Sequence, residues 1–207
     1  MASPPTETLR QRHLTNNSLA EEGKFLLYHN VKYLLKERDN IEVDVSTNKQ
    51  VETLIHNKGN FQPEYLREFA RANKLIAEEL ESDRRTQELI NKVPEGAEEE
   101  TITKVANAFI NLGNITWSKI LALFYFGYKL CRKSLTRMYQ YIKIFGNVLA
   151  SKIVDWIKTM GGWLSFTVKR KGFLGIESFS RLSLPLGVAI VGGALVGGVL
   201  VYKRYSS

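Results

Sequence analysis

Apolar residues recur at helical spacing along most of the chain, beginning near residue 18. The first helix is predicted from Ser18 to about Glu37, because Ser18 can cap it and acidic side chains follow in the first turn. Its apolar stripe consists of Phe25, Leu26, Val31, Leu34 and Leu35. Residues 1–17 are polar, and we predict that they are disordered.

Residues 39–62 carry no sustained periodicity and are predicted to form a long loop, with one helical turn near Val51–His56. A helix is predicted to start at Pro63 and to continue to Val93, because its apolar residues recur at spacings of three and four. Another amphipathic helix is predicted from about Glu98 to Leu112.

Ile120–Tyr128 comprises nine consecutive uncharged, mostly bulky residues. A helix that is apolar on all sides must be surrounded by other helices, so this segment is predicted to be the hub of a bundle. An amphipathic helical stretch follows over residues 139–160 and ends at Gly161-Gly162. Without strand-like alternation, the predicted fold is an all-α helical bundle over residues 18–172.

Leu182–Tyr202 contains no charged residue and is bracketed by Arg181 and by Lys203-Arg204. These 21 residues would rise about 30 Å as a helix, which is the thickness of a bilayer's hydrocarbon core. The alternative is a buried core helix, which would need a larger protein around it. We therefore predict a C-terminal transmembrane tail anchor on a protein that starts in the cytosol, since the N-terminus carries no secretory signal.

Charge is distributed unevenly between the two halves of the chain. The whole chain has 29 Lys and Arg against 21 Asp and Glu, and the first hundred residues are net acidic while the remainder is strongly basic. The cations of the basic half interleave with long apolar runs, which favours contact with anionic lipid over nucleic acid. Solvated faces of amphipathic helices remain the alternative for any single charge.

No pattern in the chain indicates catalysis, and no cofactor or metal is expected. The three histidines, His13, His29 and His56, lack partners at metal-ligand spacing. The single cysteine, Cys131, lies in an apolar run that would raise its pKa, and it has no base nearby in sequence. We therefore predict that the protein is not an enzyme.

Two segments resemble the homology segments of the Bcl-2 family of apoptosis regulators. Residues 114–133, with the core TWSKILALFYFGYKL, resemble the first segment, whose usual core is Asn-Trp-Gly-Arg followed by an apolar helix. Residues 155–166, which include WIKTMGGWLSF, resemble the second. The resemblance implies a hydrophobic groove that receives an amphipathic partner helix. The implied groove and partner-binding residues are Trp117, Ser118, Lys119, Leu123, Phe126, Trp156, Gly161, Gly162 and Trp163.

The resemblance also places the family's third homology segment at residues 66–83. Its implied positions are Phe69, Asn73, Ile76, Ala77, Glu78, Leu80 and Asp83. Asn73 occupies the place of the family's principal leucine, which costs about 2 to 3 kcal/mol of burial in a groove and leaves an amide to be paired. Glu78 replaces the usual aspartate, and Lys119 replaces the arginine that pairs with it. The anchors Phe69, Ile76 and Leu80 are expected to pack in the domain's own core at rest.

Within that family, the chain most resembles the Bax/Bak branch, in ALFYFGYKL and in ELESDRRTQELINKV after the third segment. The resemblance implies a pro-apoptotic effector that forms homo-oligomers and permeabilises the mitochondrial outer membrane, with other Bcl-2 family proteins as partners and no nucleic acid. A pro-survival protein that captures partner helices in its groove is the alternative. The implied location is the mitochondrial outer membrane through residues 182–202, or the cytosol at rest, with other intracellular membranes also possible.

Overall fold

A computed structural model describes residues 15–110 and 114–166, and every regular element within these ranges is helical. The first helix, α1, is Asn16–Asp39. It begins two residues before the predicted start, so Asn16 and Asn17, which were predicted to be disordered, are helical. The predicted cap was also wrong, because the side chain of Thr15 caps the helix by accepting a hydrogen bond from the Ser18 backbone N–H at 3.1 Å.

The segment predicted as a long loop contains a second helix, α2, which is Val45–Glu52. The Asp44 carboxylate explains this helix, because it accepts hydrogen bonds from the Thr47 backbone N–H at 2.9 Å and from the Ser46 and Thr47 hydroxyls at 2.6 Å each. These hydrogen bonds hold the pKa of Asp44 well below its usual range. The helical turn predicted near Val51–His56 therefore lies at the end of a helix that starts earlier.

The long helix predicted from Pro63 is two helices, α3 at Pro63–Ser82 and α4 at Arg84–Lys92. Asp83 separates them because its backbone is extended and its side chain caps α4, accepting from the Thr86 backbone N–H at 2.9 Å. The next helix, α5, is Glu99–Ile110.

The predicted hub is confirmed as α6, Trp117–Lys133, in which every residue from Ile120 to Tyr128 is buried. Thr116 caps α6 by accepting from the Lys119 backbone N–H at 3.3 Å. The hub packs against α1, α3, α5 and the following helix, so it has neighbours on all sides.

The last amphipathic stretch begins with a 3-10 turn at Leu135–Arg137 and continues as α7, Met138–Val148. A π-helical turn then leads into α8, Val154–Thr159. The prediction of one uninterrupted helix over 139–160 missed this π turn. Gly161 and Gly162 end α8 with φ angles of 90° and 89°, as the glycine pair predicts, and a 3-10 turn follows at Trp163–Ser165.

The predicted tail anchor at residues 182–202 lies outside the described residues, as do residues 1–14 and the end of the bundle range after Phe166. Among the helices that the structure describes, none is both long enough and apolar enough to cross a membrane.

Candidate functional site

The third segment lies on α3, and its apolar positions face the interior of the bundle. Phe69, Ile76, Ala77 and Leu80 are each at most 3% exposed. The face they form packs against α1 and the hub α6. The structure therefore places these anchors in the chain's own core, where no partner can reach them.

An aromatic cluster joins the third segment to the first and the second. Phe69 contacts Phe124 of the hub with ring centroids 5.6 Å apart, and it contacts Phe166 edge-to-face at 4.9 Å with an angle of 61° between the rings. Trp117 meets Phe166 at 5.2 Å in the same edge-to-face manner. Such ring pairs contribute about 0.5 to 1.5 kcal/mol each beyond their burial.

Trp117 also contacts both tryptophans of the second segment. Its ring lies 5.2 Å from Trp156 and 6.0 Å from Trp163. Leu19 on α1 holds Trp163 in place, because the buried indole Nε1 donates to the Leu19 carbonyl at 2.7 Å. The Tyr65 hydroxyl of α3 donates to the Trp163 carbonyl. The three segments are therefore one packed unit.

Gly23 on α1 makes room for this unit and was missed by sequence reasoning. A Cβ atom at Gly23 would lie 2.7 Å from Cζ2 of Trp163, which is closer than atoms in contact can approach. A glycine at helical spacing within an apolar stripe is the only sequence signal for such a close approach, and nothing in that signal indicates which aromatic ring fills the space.

Asn73 is fully buried, and both ends of its amide are hydrogen-bonded. Its Nδ2 donates to the Leu121 carbonyl of the hub at 2.6 Å, and its Oδ1 accepts from Nδ2 of Asn30 on α1 at 2.9 Å. The residue that replaces the family's usual leucine therefore joins α3 to both α1 and α6. Asn30 is also fully buried, and within the described part of the chain its Oδ1 has no hydrogen-bond partner.

Charged side chains hold the C-terminal end of the third segment. The Glu81 carboxylate is paired with Arg38 of α1, and its Oε1 lies 3.7 Å from Lys129 Nζ of the hub. A neighbouring group continues this network, because Asp39 binds Arg132 at 2.9 Å and accepts from the Tyr128 hydroxyl at 2.6 Å. Burial and the acceptor Asp39 raise the pKa of Tyr128.

Lys119 and Glu78, which the resemblance relates to the family's charge pair, have different surroundings. Lys119 is buried, its Nζ donates to the Asn114 carbonyl at 2.8 Å, and burial lowers its pKa. Glu78 is exposed on the outer face of α3. The third segment's last predicted position, Asp83, caps α4.

The remaining predicted groove residues differ in exposure. Leu123 and Phe126 are fully buried, and the Phe126 ring contacts Phe109 and Phe145 with centroids 5.4 Å apart in each pair. The other four span the whole range, since Gly162 is buried, Ser118 and Trp156 are half-buried, and Gly161 is exposed. In this state the floor of the predicted groove is filled by the chain's own side chains.

In the segments that the structure describes, no group of three or more His, Cys, Asp or Glu residues could hold a metal ion. The Cys131 thiol is completely buried, and burial raises its pKa well above the usual range.

The described architecture defines a class of protein, namely an α-helical bundle that encloses a hydrophobic hub and buries an amphipathic segment against it. A family model described as "Apoptosis regulator proteins, Bcl-2 family" matches residues 63–163, which include the third segment's helix, the hub and the aromatic cluster up to Trp163. The chain is therefore similar to the Bcl-2 family over these 101 of its 207 residues.

Known proteins similar to the chain include "Apoptosis regulator BAX" from Bos taurus and from Homo sapiens. Each is 28% identical over 136 residues, which cover 63% of this chain and 66% of the relative. The match thus spans just under two thirds of the length of these relatives. The crystal structure of chicken BOK has the same fold, with a TM-score of 0.54, 18% identity, and coverage of 73% of this chain and 96% of that chain.

Proposed function

We propose that this chain regulates apoptosis as a Bax/Bak-like pro-apoptotic effector, which oligomerises and permeabilises the mitochondrial outer membrane. The observation that carries the proposal is the burial of the third segment against the hub, with Phe69 in the aromatic cluster and Glu81 paired to α1 and α6. A segment that binds other molecules when exposed is inert while its anchors are enclosed. Sequence similarity to BAX supports the same reading.

In this proposal an activating helix from another Bcl-2 family protein loosens the contacts of α3. The third segment then leaves the core and docks in the groove of a second copy, so that homo-oligomers form. The face of the hub that α3 uncovers then lies on the membrane together with α7, where each Lys or Arg gains about 1 kcal/mol from anionic lipid. Residues 182–202 anchor the protein in the outer membrane, and the resting protein is partly cytosolic. No catalytic step is involved.

One observation favours the alternative, a pro-survival protein that captures partner helices. Both ends of the Asn73 amide are hydrogen-bonded within its own domain. Releasing it into an apolar groove would strand its amide, at a cost of about 1 to 3 kcal/mol. A pro-survival protein does not need to release its third segment, so this cost would not affect it.

Dye-loaded liposomes of outer-membrane lipid distinguish the two functions. The whole chain is added with a synthetic third-segment peptide from an activating family member. An effector releases the dye in proportion to the peptide. A pro-survival protein binds the peptide, releases no dye, and suppresses the dye release that human BAX produces under the same conditions. That second result would refute the effector proposal.

A pair of matched variants tests whether burial of the third segment restrains activity. Glu81→Gln weakens the pairing with Arg38 and Lys129, whereas Glu64→Gln removes an exposed pairing with Arg67 on the same helix. Loosening α3 by about 1 kcal/mol should lower the peptide concentration for half-maximal release roughly five-fold in Glu81→Gln. Glu64→Gln should behave as the unmodified chain. An equal shift in both variants would contradict the proposed restraint.

A further inference from the structure

The carboxyl end of the described chain carries an unusual concentration of exposed apolar side chains. Among the described residues, five large apolar side chains are exposed, and two of them, Met160 at 40% and Leu164 at 57%, are only four positions apart. The half-buried Trp156 precedes Met160 by one helical turn, and the Met160 N–H donates to the Trp156 carbonyl at 3.1 Å. We name Trp156, Met160 and Leu164 the C-terminal apolar patch.

The stretch of chain that carries the patch also carries exposed cations. Lys152 and Lys158 are exposed on the same stretch of chain. The one acidic residue between them, Asp155, accepts a hydrogen bond from Asn16 Nδ2 at 2.8 Å. In the sequence three consecutive cations, Lys169-Arg170-Lys171, follow shortly after the patch. Apolar side chains with a tryptophan and flanking lysines form the combination that binds at the interface of an anionic bilayer.

The position of the patch in the chain adds a second argument. Phe166, where the described residues end, lies two residues after Leu164, and the uncharged run 182–202 begins sixteen residues further on. Sixteen residues span at most about 55 Å even when fully extended. A chain held in the bilayer through residues 182–202 therefore keeps the patch within reach of the lipid surface at all times.

We propose that the C-terminal apolar patch is a docking surface for anionic lipid, which binds the folded bundle to the membrane in a fixed orientation. Met160 and Leu164 enter the headgroup region, while Lys152 and Lys158 face the phosphates. The aromatic contact of Trp156 with Trp117, at 5.2 Å, makes the patch continuous with the cluster that buries Phe69. This proposal rests on the tail anchor of the proposed function, and it requires no release of the third segment.

Methionine oxidation provides a direct test with the whole chain. Met160 is exposed and Met138 is fully buried, so peroxide should convert Met160 to the sulfoxide and leave Met138 intact until the protein unfolds. On vesicles in which one fifth of the lipid is anionic, Met160 should oxidise at least five-fold more slowly than in the protein free in solution. Vesicles of zwitterionic lipid should give less than two-fold protection. Mass spectrometry of the cleaved peptides measures both sites.

A matched pair of substitutions checks the contribution of the patch to vesicle binding. Leu164→Glu and Val45→Glu both place a carboxylate at an exposed apolar position, and Val45 lies on α2, outside the patch. We expect Leu164→Glu to slow association of the whole chain with anionic vesicles about ten-fold, and Val45→Glu to change it less than two-fold. Circular dichroism should show that both variants stay folded, because both positions face solvent.

Several results would overturn the docking surface. Met160 could oxidise at the free rate on vesicles to which flotation shows that the chain is bound, or it could be protected equally on zwitterionic vesicles. Leu164→Glu could also behave as Val45→Glu does. Dye release is measured separately from oxidation. Protection of Met160 without peptide-induced dye release refutes the effector function alone. Dye release while Met160 stays unprotected refutes the docking surface alone.

Discussion

The buried amide pair between α1 and α3 allows a quantitative prediction. Asn73→Ala leaves the Asn30 amide without a hydrogen bond. Its Oδ1 already lacks a partner among the described residues, and its Nδ2 loses the acceptor at 2.9 Å. An unsatisfied buried polar group costs about 1 to 3 kcal/mol, and the small cavity adds about 1 kcal/mol. We expect Asn73→Ala to lower the free energy of unfolding by about 3 kcal/mol.

The partner substitution and the double substitution complete the argument. Asn30→Ala leaves Oδ1 of Asn73 unpaired and should cost about 2 kcal/mol. Substituting both removes the buried amides together, and the Leu121 carbonyl lies inside α6, where it remains part of the helical hydrogen bonding. The double variant should therefore cost less than the sum of the single variants by about 1 to 2 kcal/mol.

Urea unfolding followed by circular dichroism measures these differences, provided that the dependence on urea stays the same among the variants. Asn147 on α7 is exposed and serves as the control, because Asn147→Ala combined with Asn73→Ala should be additive. If the Asn30 and Asn73 substitutions are additive to within about 0.5 kcal/mol, the two amides do not act as a pair and the reasoning fails.

Three further predictions follow from single sites. Gly23→Ala forces a methyl group against Trp163 and should lower the thermal midpoint by about 5 °C, whereas an unchanged midpoint would mean that the close approach is not limiting. Burial and Lys32 lower the pKa of His29, so the unfolded chain binds the proton more readily, and the free energy of unfolding should fall as the pH drops below about 6.5. His29→Gln should remove this dependence and the exposed His56→Gln should not. Cys131 should react with a thiol reagent about 100-fold more slowly in the folded chain than in urea, and equal rates would contradict its burial.

Much of the fold follows from patterns that are local in sequence. Nine uncharged residues within a helical pattern indicate a surrounded helix, and a glycine pair favours a helix end, so the hub and the end of α8 were predicted correctly. The helix starts were less accurate because several residue types can cap. Thr15 competes with Ser18 for the first helix, and Asp83 provides a cap that divides an apolar pattern continuing on both sides of it.

The site was harder to predict because its decisive contacts join distant parts of the chain. Periodicity places Asn73 on the buried face of α3, but nothing local indicates that Asn30, 43 residues earlier, donates to it. The same limit applies to Gly23 and Trp163, which lie 140 positions apart and touch only because α1 packs against α8 and the 3-10 turn that follows it. The resemblance to a known family identified the three segments, whereas only the structure shows which side chains meet across them.

The aromatic cluster also gives the protein an intrinsic optical reporter. The chain contains three tryptophans, and Trp117, Trp156 and Trp163 are all in that cluster. Phe69 is linked to them through Phe166. Departure of the third segment would therefore expose the indole rings to water and shift the tryptophan fluorescence to longer wavelengths. The moment of release can therefore be followed in the unlabelled protein, without adding a dye or changing a residue.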